Sequence, residues 1–344
     1  MSLLLRTFLA LALVLALPLS SSAATKKKTG AAEPAAASAP AKPADRDYSG
    51  AIVIDAADGK VLFEDNADAT SYPASVTKLM NLLLCVEAIE AGKAHLNDRI
   101  SASAEEAKMG GTQVFLKEGE IFTMEEYLYA MMIQSANDAA LALAKHVGGS
   151  REEFVVRMNQ RAGQLGMSHT KFVTPHGLAS PKQQADTSTP RDIATLSREV
   201  IKHPLALRLA STKVRTFRKE PLLVMRNHNK LLWQMPGCDG LKTGYLTRGG
   251  FALSATVYRD GKRVIAVVMG SRGGVHGSQR DTIARRLIGE AMPKASPLPA
   301  NMIPKEVEPE AALLMGAEPA PAEAVEETEE GAAPMVRFNT PGAK

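Results

Sequence analysis

Strand-like segments close off both ends of the regular part of this sequence, and helical signals fill the interval. Gly50-Ala51-Ile52-Val53-Ile54-Asp55 and Lys60-Val61-Leu62-Phe63-Glu64, joined by Ala56-Ala57-Asp58-Gly59, read as an opening hairpin. Near the other end, residues 251–258 and 263–269 flank Arg259-Asp260-Gly261-Lys262, whose Asp-Gly pair is a hairpin turn signal. Between them lie helix starts: Thr123 with Glu126 and Ser150 with Glu153 as capping boxes, and Thr189 ahead of Pro190. Residues 278–291 read as a closing helix. Strands at both ends with helices between them share one sheet when the ends meet. The predicted fold is therefore α+β, a mostly antiparallel sheet formed from both ends of the domain and packed with helices.

Three short motifs stand in order within this frame: Ser75-Val76-Thr77-Lys78, Ser135-Ala136-Asn137 and Lys242-Thr243-Gly244. A Ser-x-x-Lys arises by chance about once in a chain of this length, so context has to separate signal from decoy. Pro73 precedes Ser75, and residues 75–91 carry no Gly or Pro. That places Ser75 near a helix N-terminus with Lys78 one turn away on the same face. The helix (Leu79, Met80, Leu82, Leu83, Leu84, Cys85, Val86, Ile89) is apolar nearly all round and is predicted to be buried. A lysine desolvated at its mouth has a depressed pKa, and its neutral amine can take a proton from the serine hydroxyl. Taken as structure alone, Ser75 is an N-cap and Lys78 a solvated first-turn residue. Ser168-His169-Thr170-Lys171 repeats the pattern but follows Gly166 in a polar, turn-like stretch with no apolar helix behind it.

Ser135 and Asn137 fall between two apolar helical stretches, on a connection from which side chains can point into a cleft. The plain alternative is that Asn137 or Asp138 caps the following helix. Lys242-Thr243-Gly244 reads as part of a strand beside the later hairpin. Lys242 and Thr243 there offer a cation and a hydroxyl to a carboxylate, and Gly244 leaves room for a substrate backbone. Lys28-Thr29-Gly30 is a second match, in a low-complexity stretch with no strand pattern.

The ends of the chain bear on its compartment. Residues 1–24 carry Arg6, an apolar run from 7 to 19 and Ser22-Ala23-Ala24, the pattern of a secretory signal peptide. Residues 25–46, rich in Ala, Pro and Lys, read as a flexible linker. Residues 47–292 form the predicted catalytic domain, about 245 residues and enough for a large core. From 293 to 344 the chain is rich in Pro, Ala and Glu and is predicted to be a disordered tail. The tail holds four Lys/Arg against nine Glu, while the whole chain carries a formal +4, so the central segment is mildly basic. Such a charge suits an anionic envelope polymer. No basic, aromatic-bearing patch or motif suggests nucleic acid. The seven His lack ligand spacing, so neither metal nor cofactor is predicted. Cys85 and Cys238, the only cysteines, lie far apart in sequence. Two free thiols and a disulfide both fit, with buried free Cys the commoner case.

Ordered Ser-x-x-Lys, Ser-x-Asn and Lys-Thr-Gly is the motif set of penicillin-binding proteins and β-lactamases. Over residues 47–292 the chain resembles a low-molecular-weight penicillin-binding protein of the D-alanyl-D-alanine carboxypeptidase family. The resemblance rests on the segments around the three motifs and on Leu165-Gly166-Met167 and Phe172-Val173-Thr174-Pro175-His176-Gly177-Leu178. It implies the β-lactamase/D,D-peptidase fold and an acyl-enzyme formed on Ser75, with Lys78 as base. It also implies Ser135 as proton relay, Asn137 on the substrate amide, and Lys242 and Thr243 on the terminal carboxylate. Gly244 and Tyr245 would line that strand, the Tyr245 N–H joining the Ser75 N–H in an oxyanion hole. Arg280 would add a cation, or equally be a solvated first-turn residue. Implied partners are peptidoglycan stem peptides, with β-lactams as inhibitors, in the periplasm or cell envelope. The family's usual C-terminal β-domain and amphipathic anchoring helix are not evident here.

Three other readings stay open: a D,D-endopeptidase cutting cross-links, a β-lactamase, and a non-catalytic envelope-binding module. Against the β-lactamase stands the absence of any Glu between Glu153 and Glu199, where a class A deacylating residue belongs. Intact Ser75, Lys78 and Lys242 oppose the last.

Overall fold

The computed structural model describes residues 47–179 and 184–303. The expected signal peptide and linker, and the tail beyond residue 303, lie outside the described residues. The elements run β1 (Gly50–Asp55), β2 (Val61–Asp65), a 3-10 turn (Ala74–Thr77), α1 (Lys78–Glu90), β3 (Arg99–Ser101), α2 (Ala104–Ala107), β4 (Ile121–Thr123) and α3 (Met124–Tyr129). A π-turn (Ala130–Gln134) then leads to α4 (Asn137–Gly148), α5 (Arg151–Gln164), α6 (Pro190–Val200), α7 (Pro204–Ser211), β5 (Val214–Lys219) and β6 (Leu222–Arg226). The last elements are α8 (Leu231–Gln234), β7 (Cys238–Leu246), β8 (Gly250–Arg259), β9 (Lys262–Ser271) and α9 (Ser278–Ala291).

The ends do meet. One five-stranded sheet has the order β2-β1-β9-β8-β7, every neighbour antiparallel. The β8–β9 turn has positive φ at both Asp260 and Gly261, which the Asp-Gly signal demanded. Alternation along β1 and β9 divides the core. Ala51, Val53, Val264, Ala266 and Val268 pack with Leu287 and Ile288 of α9, whereas Ile52, Ile54, Ile265, Val267 and Met269 face the helices of the opposite side. There α1 is buried almost all round, through Leu79, Met80, Leu82, Leu83, Cys85 and Val86. Its apolar circumference is what lets it run through the core.

Thr123 and Glu126 form the expected capping box, and Thr189 accepts the Asp192 N–H with Pro190 in the first turn; of the expected Ser150–Glu153 box only half forms, Ser150 accepting the Glu153 N–H. Ser103 and Glu106 form a further box. The two cysteines are free, Cys85 buried against Asn81 and Cys238 half-buried beside Gly240. One expectation needs correction. The predicted tail boundary at residue 293 falls about ten residues early, because Leu298 is buried and donates its N–H to the Gly261 carbonyl. The Ser296 N–H likewise reaches the Asp55 carboxylate at 2.7 Å. Proline-rich composition hid a segment fastened to the domain by backbone bonds and a few aliphatic side chains.

Candidate active site

Ser75 sits in the 3-10 turn that feeds α1, half-buried while Ala74, Val76 and Thr77 around it are buried. The helix proper begins at Lys78, one turn later than predicted, so Ser75 stands in the turn ahead of it, still three residues from the lysine. Ala74 has φ +50°, an uncommon conformation for a residue with a side chain, and it re-aims the turn at the point where the serine is displayed. Lys78 is fully buried. Its Nζ donates to Ser75 Oγ at 3.1 Å, Asn137 Oδ1 at 2.7 Å and the His176 carbonyl at 2.6 Å. Three acceptors account for the three protons of an ammonium. Burial, and next the charge of Lys242, hold the Lys78 pKa well below the ordinary lysine range, against an opposing pull from Asp186 and Asp138. Once neutral, the amine keeps two N–H bonds and turns its lone pair on the remaining neighbour. Asn137 and the His176 carbonyl are fixed acceptors, so that neighbour is the Ser75 hydroxyl.

The fixed acceptors are themselves held. Asn137 opens α4, its Nδ2 donating to the Gly110 carbonyl at 2.9 Å and its N–H to the Thr112 carbonyl at 2.8 Å. Asn137 is thus tied to Lys78 and to the 110–112 loop, with one amide proton left over. Neither Asn137 nor Asp138 caps α4 as a side chain. Asp138 is buried and accepts the N–H groups of Val114, Leu116 and Ala139. On the other flank, buried Asp186 accepts from Thr77, Val173 and Thr174, and Asn81 donates to the Pro175 carbonyl. These bonds hold the segment carrying the His176 carbonyl. The His176 ring stays neutral, its pKa pushed down to about 3 by burial and then Lys78, and its Nδ1 accepts the Leu178 N–H. Ser135 ends the π-turn at φ +62° and is buried; among the described residues its hydroxyl has no hydrogen-bond partner.

Strand β7 brings the third motif alongside. A methyl built on Gly244 would lie 2.5 Å from the Pro73 carbonyl oxygen and 3.0 Å from the Ser75 nitrogen. Only glycine allows so close a pass. Lys242 and Thr243 are buried, and among the described residues the one hydrogen bond of the Lys242 ammonium goes to the Thr243 carbonyl at 3.2 Å. Among the described residues no carboxylate pairs with it. Burial first, and Arg280 second, push the Lys242 pKa down to about 7. Arg280 is buried, donating to Asp281 and to the Ala252 carbonyl; it is not a solvated first-turn residue. Tyr245 is 54% exposed and packs on the Phe251 ring. The structure thus gathers Ser75, Lys78, Asn137, Lys242 and Gly244 around one turn, with Arg280 near enough to act on Lys242. The decoy Ser168 is exposed, and among the described residues its hydroxyl hydrogen-bonds only the neighbouring His169 ring. Lys28-Thr29-Gly30 lies outside the described residues. Sequence reasoning missed Asp138 and Asp186, whose only signal was an acid beside a motif or beyond a quoted segment.

Comparison with known proteins agrees with this geometry. The family model for D-alanyl-D-alanine carboxypeptidases, peptidase S11, matches residues 35–273. The D-alanyl-D-alanine carboxypeptidases DacF of Bacillus subtilis and DacC of Escherichia coli are 37% identical over 223 residues and 38% identical over 229. Each match takes in 64% of this chain, which spans 57% and 56% of those proteins' lengths. Among solved structures, the D-alanyl-D-alanine carboxypeptidase DacD of Francisella tularensis superposes with a TM-score of 0.66 at 26% identity, covering 74% of this chain and 73% of that one. Penicillin-binding protein D2 of Listeria monocytogenes, in an ampicillin-bound form, gives 0.63 at 29% identity, covering 71% and 97%. The chain belongs to the D-alanyl-D-alanine carboxypeptidase family, peptidase S11.

Proposed function

We propose that this protein is an exported serine D,D-carboxypeptidase that removes the terminal D-alanine from peptidoglycan stem pentapeptides and is acylated by penicillins. The observation that carries the reading is the pairing of a buried, depressed Lys78 at 3.1 Å from Ser75 with a second buried lysine, Lys242, that has no counter-ion among the described residues. The first can activate a nucleophile; the second is completed by an anion. A free terminal carboxylate supplies that anion and distinguishes exo- from endo-cleavage.

In the proposed reaction the Ser75 hydroxyl attacks the carbonyl of the terminal peptide bond and passes its proton to neutral Lys78. The oxyanion draws on the Ser75 and Tyr245 N–H groups. The C–N bond then breaks, and Ser135 carries a proton from Lys78 to the departing amine. Asn137 uses its remaining amide proton on the substrate backbone. Water adds to the acyl-enzyme as Lys78 takes its proton, and the C–O bond to Ser75 breaks with that proton returned to Ser75 Oγ, which frees the shortened peptide and restores the neutral amine. Lys242, Thr243 and Arg280 hold the carboxylate throughout. No step draws on a metal or cofactor. Residues 1–24 would direct export and 25–46 would form a flexible linker ahead of the domain.

The test compares a pentapeptide ending in D-Ala-D-Ala, its C-terminal amide, and cross-linked muropeptide dimers. Free D-alanine should appear from the acid, and the amide should react slower by one to a few orders of magnitude, since a charge-assisted pair contributes about 1.5–3 kcal/mol. Dimers turned into monomers with little D-alanine released would make the protein an endopeptidase.

A further inference from the structure

Between hairpin β5–β6 and the start of α4 runs the loop of residues 110–117, and it is gripped from both sides. From β5, Arg218 donates its Nη2 to the Val114 carbonyl at 3.1 Å and both Nη groups to the Phe115 carbonyl at 3.3 Å. Its side chain is 9% exposed, and Glu120 accepts a further bond from Nη2 at 3.1 Å. The guanidinium carbon lies 5.6 and 5.3 Å from the centres of the Phe122 and Phe217 rings. From α4, Asp138 accepts the Val114 and Leu116 N–H groups, each at 3.2 Å. Three successive peptide groups thus lie between a cation on their carbonyls and a carboxylate on their N–H groups, and both sets of bonds are charge-assisted. At the centre Phe115 holds φ +56° with its ring exposed, a conformation that persists only where the surroundings over-determine it. Upstream, the same loop offers the Gly110 and Thr112 carbonyls to Asn137, at 2.9 and 2.8 Å. A methyl built on Gly111 would lie 2.7 Å from Asn137 Nδ2, so the loop cannot shift without moving that amide. Asn137 Oδ1 in turn accepts from Lys78 Nζ at 2.7 Å.

We propose that Arg218 is a positioning residue for acylation: by holding the Val114 and Phe115 carbonyls it fixes loop 110–117, and through that loop the Asn137 amide against Lys78. The inference rests on the reading of Ser75 as nucleophile and Lys78 as base. Among the described residues Arg218 bonds the loop and Glu120, and none of Ser75, Lys78 or Asn137. It acts at a distance because each link is short and directional. An aliphatic chain in its place keeps the packing on Phe122 and Phe217 but takes the donors from both carbonyls. The left-handed turn at Phe115 then loses half of its grip, and Asn137 Oδ1 loses the fixed support that aims it at Lys78.

The experiment measures acylation of the full chain by benzylpenicillin. Arg218→Met should slow it about ten- to a hundredfold, the scale on which a misplaced catalytic group costs rate. Arg218→Lys keeps a charged donor without the planar fork and should recover about half of that loss on a logarithmic scale. In an Asn137→Ala background Arg218→Met should cost less than about threefold, because no amide remains to be positioned. An equal loss in both backgrounds, or unchanged acylation with Arg218→Met, would overturn the proposal. Hydrogen exchange read by mass spectrometry decides the matter should Asn137→Ala react too slowly to follow. Arg218→Met should speed exchange in peptides spanning 110–117 about tenfold or more while α1 and β9 keep their protection. Unchanged exchange there, or protection lost in α1 and β9 as well, would leave Arg218 without a positioning role. A wild type that benzylpenicillin does not acylate would sink the reading of Ser75 and Lys78 instead, and exchange in 110–117 would still decide the grip of Arg218.

Discussion

Replacing Lys242 by Met should stabilise the protein while destroying its capacity for acylation. An unfolded lysine keeps its proton to about pH 10.4. In the folded chain burial, then Arg280, bring that value to about 7. Between pH 7 and 10 the unfolded chain therefore binds more protons, so wild-type stability attributable to this residue rises with pH across that window. Below about pH 7 the full cost is present, on the order of 4–5 kcal/mol at about 1.36 kcal/mol per pKa unit. At pH 9 it has shrunk to roughly 2 kcal/mol by the same conversion. Methionine fills similar space without a charge. It forfeits the 3.2 Å bond to the Thr243 carbonyl, worth about 1 kcal/mol. A net gain near 3 kcal/mol corresponds to a melting temperature roughly 6–12 °C higher for a domain of this size. Differential scanning fluorimetry of Lys242→Met beside wild type at pH 6, 7, 8 and 9 reads it, together with the relief of Lys78, whose pKa the Lys242 charge holds down in the wild type. The gain should be largest at pH 6–7 and fall to less than half by pH 9. A variant less stable than wild type at pH 7, or a gain that does not change with pH, would refute a buried unneutralised cation. Fluorescent penicillin should label wild type and leave Lys242→Met unlabelled, because the compound's carboxylate has lost its cation.

Ser75→Ala should abolish covalent penicillin labelling and Ser168→Ala should leave it intact, as read on a gel. Lys78→Arg keeps a charge that cannot be given up near neutral pH, so acylation should fall at least a thousandfold; near-normal acylation would make Lys78 a mere electrostatic partner. Gly244→Ala sets a methyl 2.5 Å from a backbone oxygen in the Ser75 turn, which should lower acylation at least a hundredfold and stability by about 1–3 kcal/mol. Ending the chain after Ala295 removes buried Leu298 and its bond to Gly261, and urea unfolding should show a loss of about 2–4 kcal/mol.

What the sequence disclosed depended on whether a neighbour in the chain carried the signal. β1, β8, β9 and α9 were legible because short apolar runs bounded by turn residues, an Asp-Gly turn and a Pro- and Gly-bounded helix are local. The β5–β6 hairpin was not. Its outward positions mix Val214, Leu222 and Val224 with Lys219 and Arg226, and a cis Glu220-Pro221 stands at its turn, so neither alternation nor a familiar turn pair marks it. The π-turn before Ser135 is equally silent, since Ala130, Met131, Met132 and Ile133 read as ordinary helix.

The candidate site divides in the same way. Ser75 and Lys78 are joined by one helical turn, and three residues suffice to suggest them. What gives Lys78 its character lies far off: Asn137 is 59 residues away, the His176 carbonyl 98, and Asp186 reaches Thr77 across 109. A motif can name a base, but only long-range packing can remove its water and fix where its lone pair points. The same distinction explains why Arg280 stayed undecided. On a helix wheel it is a first-turn cation like many others, and only the approach of α9 to β8, with Ala252 accepting its N–H, draws it inward toward Lys242. Among the described residues, the two buried cations have one carboxylate between them, Asp281, which leaves this end short of one negative charge. That deficit is a property of the tertiary structure alone, and it is the strongest physical reason to expect an anionic substrate terminus there.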